Sequence, residues 1–136
     1  MITLQKFYEL VGDAVVAVDS IGQIIVWNPA AERLFGFTKK EALGSSLDLI
    51  IPPKFQQRHW RGYRQTLKTG ITKYGTSLLH VPALKSDESI ISIAFTVILL
   101  PNENNEITSM VAIIRDESST YNEIKALHQR LSKNAS

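Results

Sequence analysis

DAVVAVDSIGQIIVWNPAAERLFGFTKKEALG, residues 13–44, is the stretch from which the architecture of this chain is read. Asp13–Ser20 and Gly22–Asn28 are two β-rich runs flanking a short glycine-containing turn, and this pattern predicts a hairpin. Asn28-Pro29 breaks the second strand, and Pro29 suits the first turn of a helix, PAAERLFG, that Gly36 closes. Thr38 with Glu41 three residues on has capping-box spacing, so Thr38–Leu43 is expected as a brief helix ending at Gly44. Asn28 is expected to bind neighbouring backbone through its amide at the strand-to-helix corner. Gly36 and Gly44 are expected to supply the backbone angles of helix C-termini.

On the N-terminal side, Thr3–Val11 reads as a short amphipathic helix with Leu4, Phe7, Tyr8 and Val11 on one face. On the C-terminal side, Leu47–Pro53 is apolar and ends in a double proline. Lys54–Lys68 then gives the clearest helical pattern, stopped by Gly70. Phe55, His59, Tyr63, Thr66 and Leu67 share one face of it, while Arg58, Arg61, Arg64 and Lys68 mostly lie elsewhere. Two long strands are expected at about Lys73–Leu84 and Ser89–Leu100, joined by the turn KSDE. A polar loop, PNENNE, leads to a last strand at Glu106–Arg115. Ser118–Ser132 reads as a helix with Tyr121, Ile124, Leu127 and Leu131 on one stripe. Two strands, several helices and three strands make an α+β domain, one five-stranded antiparallel sheet covered on one face by the helical segment. Lys54–Lys68 is its long central helix.

Composition narrows the function classes. The chain has 136 residues, the size of one domain, and at 44% hydrophobic it can bury a core. The net charge of +2 comes from basic residues spread along the chain, apart from a locally basic stretch at Lys54–Lys73. That argues against a nucleic-acid surface. The longest apolar runs, such as Ile90–Leu100, are interrupted by Ser92 and Thr96 and are too short to span a bilayer. The start has no export pattern, and a cysteine count of zero excludes disulfides and thiolate metal sites. The expected location is cytoplasmic.

With DAVVAVDSIGQIIVWNPAAERLFGFTKKEALG and the closing word IIRDES, the chain resembles the PAS family over nearly its whole length. The family's opening is an apolar strand, D-x-x-G, a second strand ending near N-P-A-A, then hydrophobic-hydrophobic-G-[FY] and E-x-hydrophobic-x-G. Its closing strand usually ends in R-D-[IV]-[ST]. Here the residues are Arg115-Asp116-Glu117-Ser118, with Glu117 at the usually aliphatic position. The resemblance implies a sensory and dimerisation module whose ligand sits between the central helix and the sheet; fold alone does not name that ligand. Flavin photosensors of this family and photoactive yellow proteins need a cysteine, so both covalent photochemistries are excluded. A non-covalent flavin stays open, without residues that favour it.

Arg58-His59-Trp60-Arg61-Gly62-Tyr63 resembles the proximal helix of haem-binding PAS gas sensors of rhizobia and enteric bacteria, where the histidine ligates iron. The resemblance implies haem b on His59, with Tyr63 and Leu67 on the same helix and Ile93, Phe95 and Val97 across the cavity. The enteric sensor's distal methionine carries over to Ser77, and the distal arginine to Leu79. Strand alternation puts Ser77, Leu79 and Val81 on one face. A haem here would lack an endogenous sixth ligand and a cationic donor, which suits NO or CO better than tightly held O₂. Lys73 and the Arg/Lys set of the central helix are candidate partners for the propionates, or an ordinary solvated face. His80 has the opposite strand parity and is read as outward-facing, His128 as solvated and Met110 as core. The alternative stays open: His59 packs in the core, and the domain is a cofactor-free interaction module or holds a small apolar ligand.

No P-loop, HExxH, GxSxG or close Ser/His/Asp set is present, so no enzyme is expected. Output must pass to a downstream signalling partner or to a region outside this chain. The expected division is a flanking helix at 1–12, the sensory domain at 13–117 and a C-terminal amphipathic helix at 118–136. The two terminal stripes suggest a homodimer, or else fold back over the exposed sheet face.

Overall fold

Asn28, Thr38, Ser46 and Thr3 each turn a side-chain oxygen onto the first free N–H groups of the helix that follows, and the element boundaries fall there. The computed structural model describes residues 2–71 and 77–134. Its helices are α1 Leu4–Leu10, α2 Pro29–Phe35, α3 Lys39–Ala42, α4 Pro53–Thr69 and α5 Ser118–Asn134, with a 3-10 turn at Leu47–Ile50. Its strands are β1 Ala14–Asp19, β2 Ile24–Trp27, β3 Leu79–Leu84, β4 Ile90–Pro101 and β5 Ile107–Asp116. They form one antiparallel sheet in the order β2-β1-β5-β4-β3, which places the first hairpin and the last strand side by side. This is the expected α+β fold, with α4 as the central helix.

The opening motif folds as its residues dictate. The Thr38–Glu41 capping box is complete, and Gly36 and Gly44 take φ of 82° and 84°. Asn28 is wholly buried and fully used. Its Oδ1 accepts from Val15 N and Ala31 N, and its Nδ2 donates to the carbonyls of Asp13 and Tyr8, the latter in α1. Trp27 and Phe35 are buried beside it with ring centroids 5.4 Å apart, and Trp27 Nε1 donates to Phe37 O. The inner sheet face adds Val16, Val18, Ile93 and Ile114, which the register puts on one face of β1, β5 and β4.

The third strand is shorter than its pattern suggests. It begins at Leu79; Ser77 and Leu78 precede it outside the strand and are exposed. Lys73 lies outside the described residues. β3 is an edge strand whose pairing ends at Leu79 opposite Phe95. From there to Pro101, β4 pairs with β5 alone, so Ser77 has no ladder to hold it in a strand. The strand parity expected for Ser77 therefore does not apply.

Candidate functional site

One face of α4 is fastened to the first hairpin and to the 3-10 turn. Tyr63, the buried residue of α4, donates its hydroxyl to the carbonyl of Asp19 at the end of β1. Burial, reinforced by the neighbouring Asp19, pushes its phenol up to about 12. One turn earlier, Trp60 Nε1 donates to Asp48 Oδ1 at 2.6 Å, and its ring covers Gly22. Gly22 has φ of 86°, and a Cβ there would lie inside the ring's van der Waals contact. Gln56 completes the seam by donating to the carbonyl of Ile51 at 3.0 Å.

His59 sits on this seam, half-buried. Its ring meets Trp60 edge-on at 4.5 Å and stacks at 6.2 Å from Tyr63. Among the described residues, His59 Nδ1 is the one buried side-chain nitrogen or oxygen without a hydrogen-bond partner. Burial lowers the imidazole's pKa, and the charge of Asp48 opposes that only in part. The result is a ring held neutral with an unsatisfied nitrogen, the form of histidine that binds metals. A metal–ligand bond would satisfy it, so His59 fits the iron ligand that the helix word implies.

The other expected wall residues are distributed unevenly. Ile93 is buried, and Phe95 and Leu67 pack against the same apolar cluster. Leu79 and Val97 are half-buried on the inner face, Leu79 paired in register with Phe95. Val81 is 39% exposed and Ala83 buried, so the β3 wall is Leu79 and Ala83 more than Val81. Ser77 is exposed before the strand and is not brought to this wall by β3. Arg58, Arg61, Arg64 and Lys68 are exposed on the far side of α4. Met110 packs against the core, and His128 is exposed on α5. His80 faces outward and holds Glu117 instead of the cavity.

Two features escape a residue-by-residue sequence reading. Asp48 matters because it receives Trp60 and sets the field at His59, yet nothing local marks it apart from its place after Ser46. The cleft that the described residues line with Asp13, Arg33, Leu34, Ile114, Arg115 and Asp116, about 220 Å³, opens at the root of the flanking helices and away from His59. Among the described residues, no group of three or more His, Asp or Glu side chains is arranged to hold a bare metal ion, and no helix is long and apolar enough to cross a membrane.

Residues 3–116 match the family described as the PAS fold. Sensor protein FixL of Bradyrhizobium diazoefficiens is 34% identical over 56 residues, which is 41% of this chain and 11% of that protein. Oxygen sensor protein DosP of Escherichia coli is 25% identical over 103 residues, 76% of this chain and 13% of that protein. The chain thus spans about an eighth of the length of these curated relatives. Among solved structures, the PAS domain of a protein from Colwellia psychrerythraea matches with a TM-score of 0.74 at 24% identity, over 85% of this chain and 94% of that one. An RNA-binding light-oxygen-voltage receptor matches with a TM-score of 0.79 at 17% identity, over 95% of this chain and 36% of that one. At these identities the structural likeness is one of fold.

Proposed function

The chain belongs to the PAS family, a family of sensory modules, and we propose that it is a non-enzymatic gas or redox sensor carrying haem b on His59. The observation that carries this is the unpartnered, buried Nδ1 of a histidine kept neutral by burial, on a helix whose sequence resembles the proximal helix of haem sensors. The similarity to FixL and to the oxygen sensor DosP supports the same class. When bound, haem supplies an iron that takes a diatomic gas as its ligand. His59 holds that iron. Trp60 and Tyr63 fix the helix that aims the imidazole, through Asp48 and Asp19. Leu67, Leu79, Ile93, Phe95 and Val97 form an apolar wall that excludes water. With Leu79 in the place of a cationic donor, the pocket favours NO or CO over tightly held O₂.

A second reading rests on the termini. Leu4, Phe7 and Leu10 of α1 are 58–87% exposed, and Tyr121, Ile124, Leu127 and Leu131 of α5 are 47–59% exposed. Such stripes suit a homodimer through the flanking helices, 1–12 and 118–136, around a sensory domain at 13–117, with output to a downstream signalling protein. In a cofactor-free interaction module, that surface is the whole function; in an apolar-ligand sensor it is the output. The dimer is tested by replacing Leu127 and Leu131 with Glu: light scattering should give a monomer, and an unchanged mass places the interface elsewhere.

One spectrum separates the two readings. Purified protein incubated with haemin should develop a Soret band that His59→Ala abolishes and that added imidazole partly restores by filling the vacated coordination site. A band that survives His59→Ala moves the ligand to another residue. No haem uptake by the wild type leaves the cofactor-free module, and flavin-type fluorescence from the protein as purified points to a non-covalent flavin.

A further inference from the structure

Glu117 stands where the sheet passes into the C-terminal helix. Its N–H donates to Ser92 O of β4, and its carbonyl accepts from Tyr121 N in α5, both at 2.9 Å. Its Oε1 lies 2.6 Å from His80 Nδ1 of β3 and accepts a longer bond, 3.4 Å, from Ser92 Oγ. Ser118 adds to the joint: its Oγ accepts from Ser92 N at 3.0 Å, and its N–H donates to Asp116 Oδ1 at 2.8 Å. The root of α5 is therefore sewn to β4 by backbone and tied to β3 by the carboxylate of Glu117. Beyond the root, α5 buries no residue.

The tie has a particular place in the sheet. His80 pairs in register with Ala94, and Ala94 with Arg115. Arg115 is committed to Asp13 through two bonds of 3.0 Å, so one outer-face row ends in two separate side-chain contacts. Asp13–Arg115 joins strands that the sheet ladder already joins. His80–Glu117 differs, because it links α5 to an edge strand held by β4 alone. On the inner side of that strand Ala83 packs in the core cluster that also holds Tyr63 of α4, so anything that shifts β3 there moves His80 with it.

We propose that His80–Glu117 is a latch that couples the position of the edge strand β3 to the root of the C-terminal helix. His80 is 56% exposed, and contacts at such exposure are weak enough to open and close thermally, which suits a coupling element better than a structural staple. The latch does not depend on which ligand, if any, fills the interior.

Amide hydrogen exchange on the full chain tests it in four proteins: wild type, His80→Ala, Glu117→Ala and the double variant. Coupling is reciprocal. Each single change should therefore speed exchange both in β3 and at the first turn of α5, by about two- to fivefold. The double variant should exchange no faster than the singles, and Glu117→Gln, which keeps an acceptor for the ring N–H, should retain most of the protection. The proposal is overturned if His80→Ala affects β3 alone and Glu117→Ala affects α5 alone, or if the double variant shows the product of the two effects. If Glu117→Ala melts α5 outright, His80→Ala decides, because it leaves the helix sequence intact: unchanged exchange in α5 sinks the latch.

Discussion

In residues 13–50, Trp27, Asn28, Ala31 and Phe35 have no exposed surface, while α4 buries only Tyr63 and β3 only Ala83. The first region is closed by local chemistry: caps, a corner asparagine with all its bonds made, and two large rings in tilted contact. The second is attached more sparsely: α4 through Tyr63 on Asp19, Trp60 on Gly22 and Asp48, and Gln56 on Ile51, and β3 through its single ladder with β4 and His80 on Glu117. A fixed frame with an adjustable wall is what a sensing module needs. The frame sets the reference position, and the weakly held wall is free to respond.

The largest expected effect breaks the frame. Trp27→Ala removes a wholly buried indole and its bond to Phe37 O, and should cost about 3–5 kcal/mol in urea unfolding. Val81→Ala, on the partly exposed side of β3, should stay within about 0.5–1 kcal/mol. Comparable losses at the two positions would erase the distinction between frame and wall.

Gly22→Ala tests the seam between them. It places a Cβ against the Trp60 ring at a left-handed φ and should cost about 1–2 kcal/mol from the backbone alone. Tryptophan emission should shift as Trp60 leaves its seat, and a neutral variant with unchanged emission would mean that α4 is not docked there.

Tyr63→Phe is a milder cut at the seam, about 1 kcal/mol for one hydrogen bond at neutral pH. It carries a pH signature with a definite sign. The phenol's folded pKa is raised from 10.0 to about 12, so the folded state holds the proton more tightly than the unfolded chain. The stabilisation is complete below pH 10 and is lost as pH rises through the folded value. Wild type should therefore lose stability between pH 10 and 12 while Tyr63→Phe stays flatter there. Parallel curves would show that Tyr63 is not the group responsible.

Much of the frame is legible from sequence, because its determinants lie within a few residues of one another. Thr38 and Glu41 cap one turn, Gly36 and Gly44 follow the helices they end, and Asn28 binds Ala31 three positions on. The candidate site is legible in part: His59, Tyr63 and Leu67 share a helix face that spacing alone reveals, and the strand pattern marks Ile93 and Phe95 as inward. Ser77 was misplaced because alternation extends a strand on paper, whereas an edge strand lasts only as long as its single neighbour pairs with it.

Sequence alone determined the α+β class, the hairpin, the caps and the amphipathic faces of α1, α4 and α5, since each depends on side-chain periodicity or on backbone groups a few positions away. Only the tertiary structure decided that Trp60 lies on Gly22, that Asp48 sits beside His59, and that Glu117 reaches back to His80. Those pairs, 11 to 38 residues apart, are brought together by the docking of α4 on the first hairpin and the 3-10 turn and, for Glu117 and His80, by the order β5-β4-β3. Which distant side chain satisfies a buried or charged group is set by how the elements pack, and that information does not reside in any local stretch of the chain.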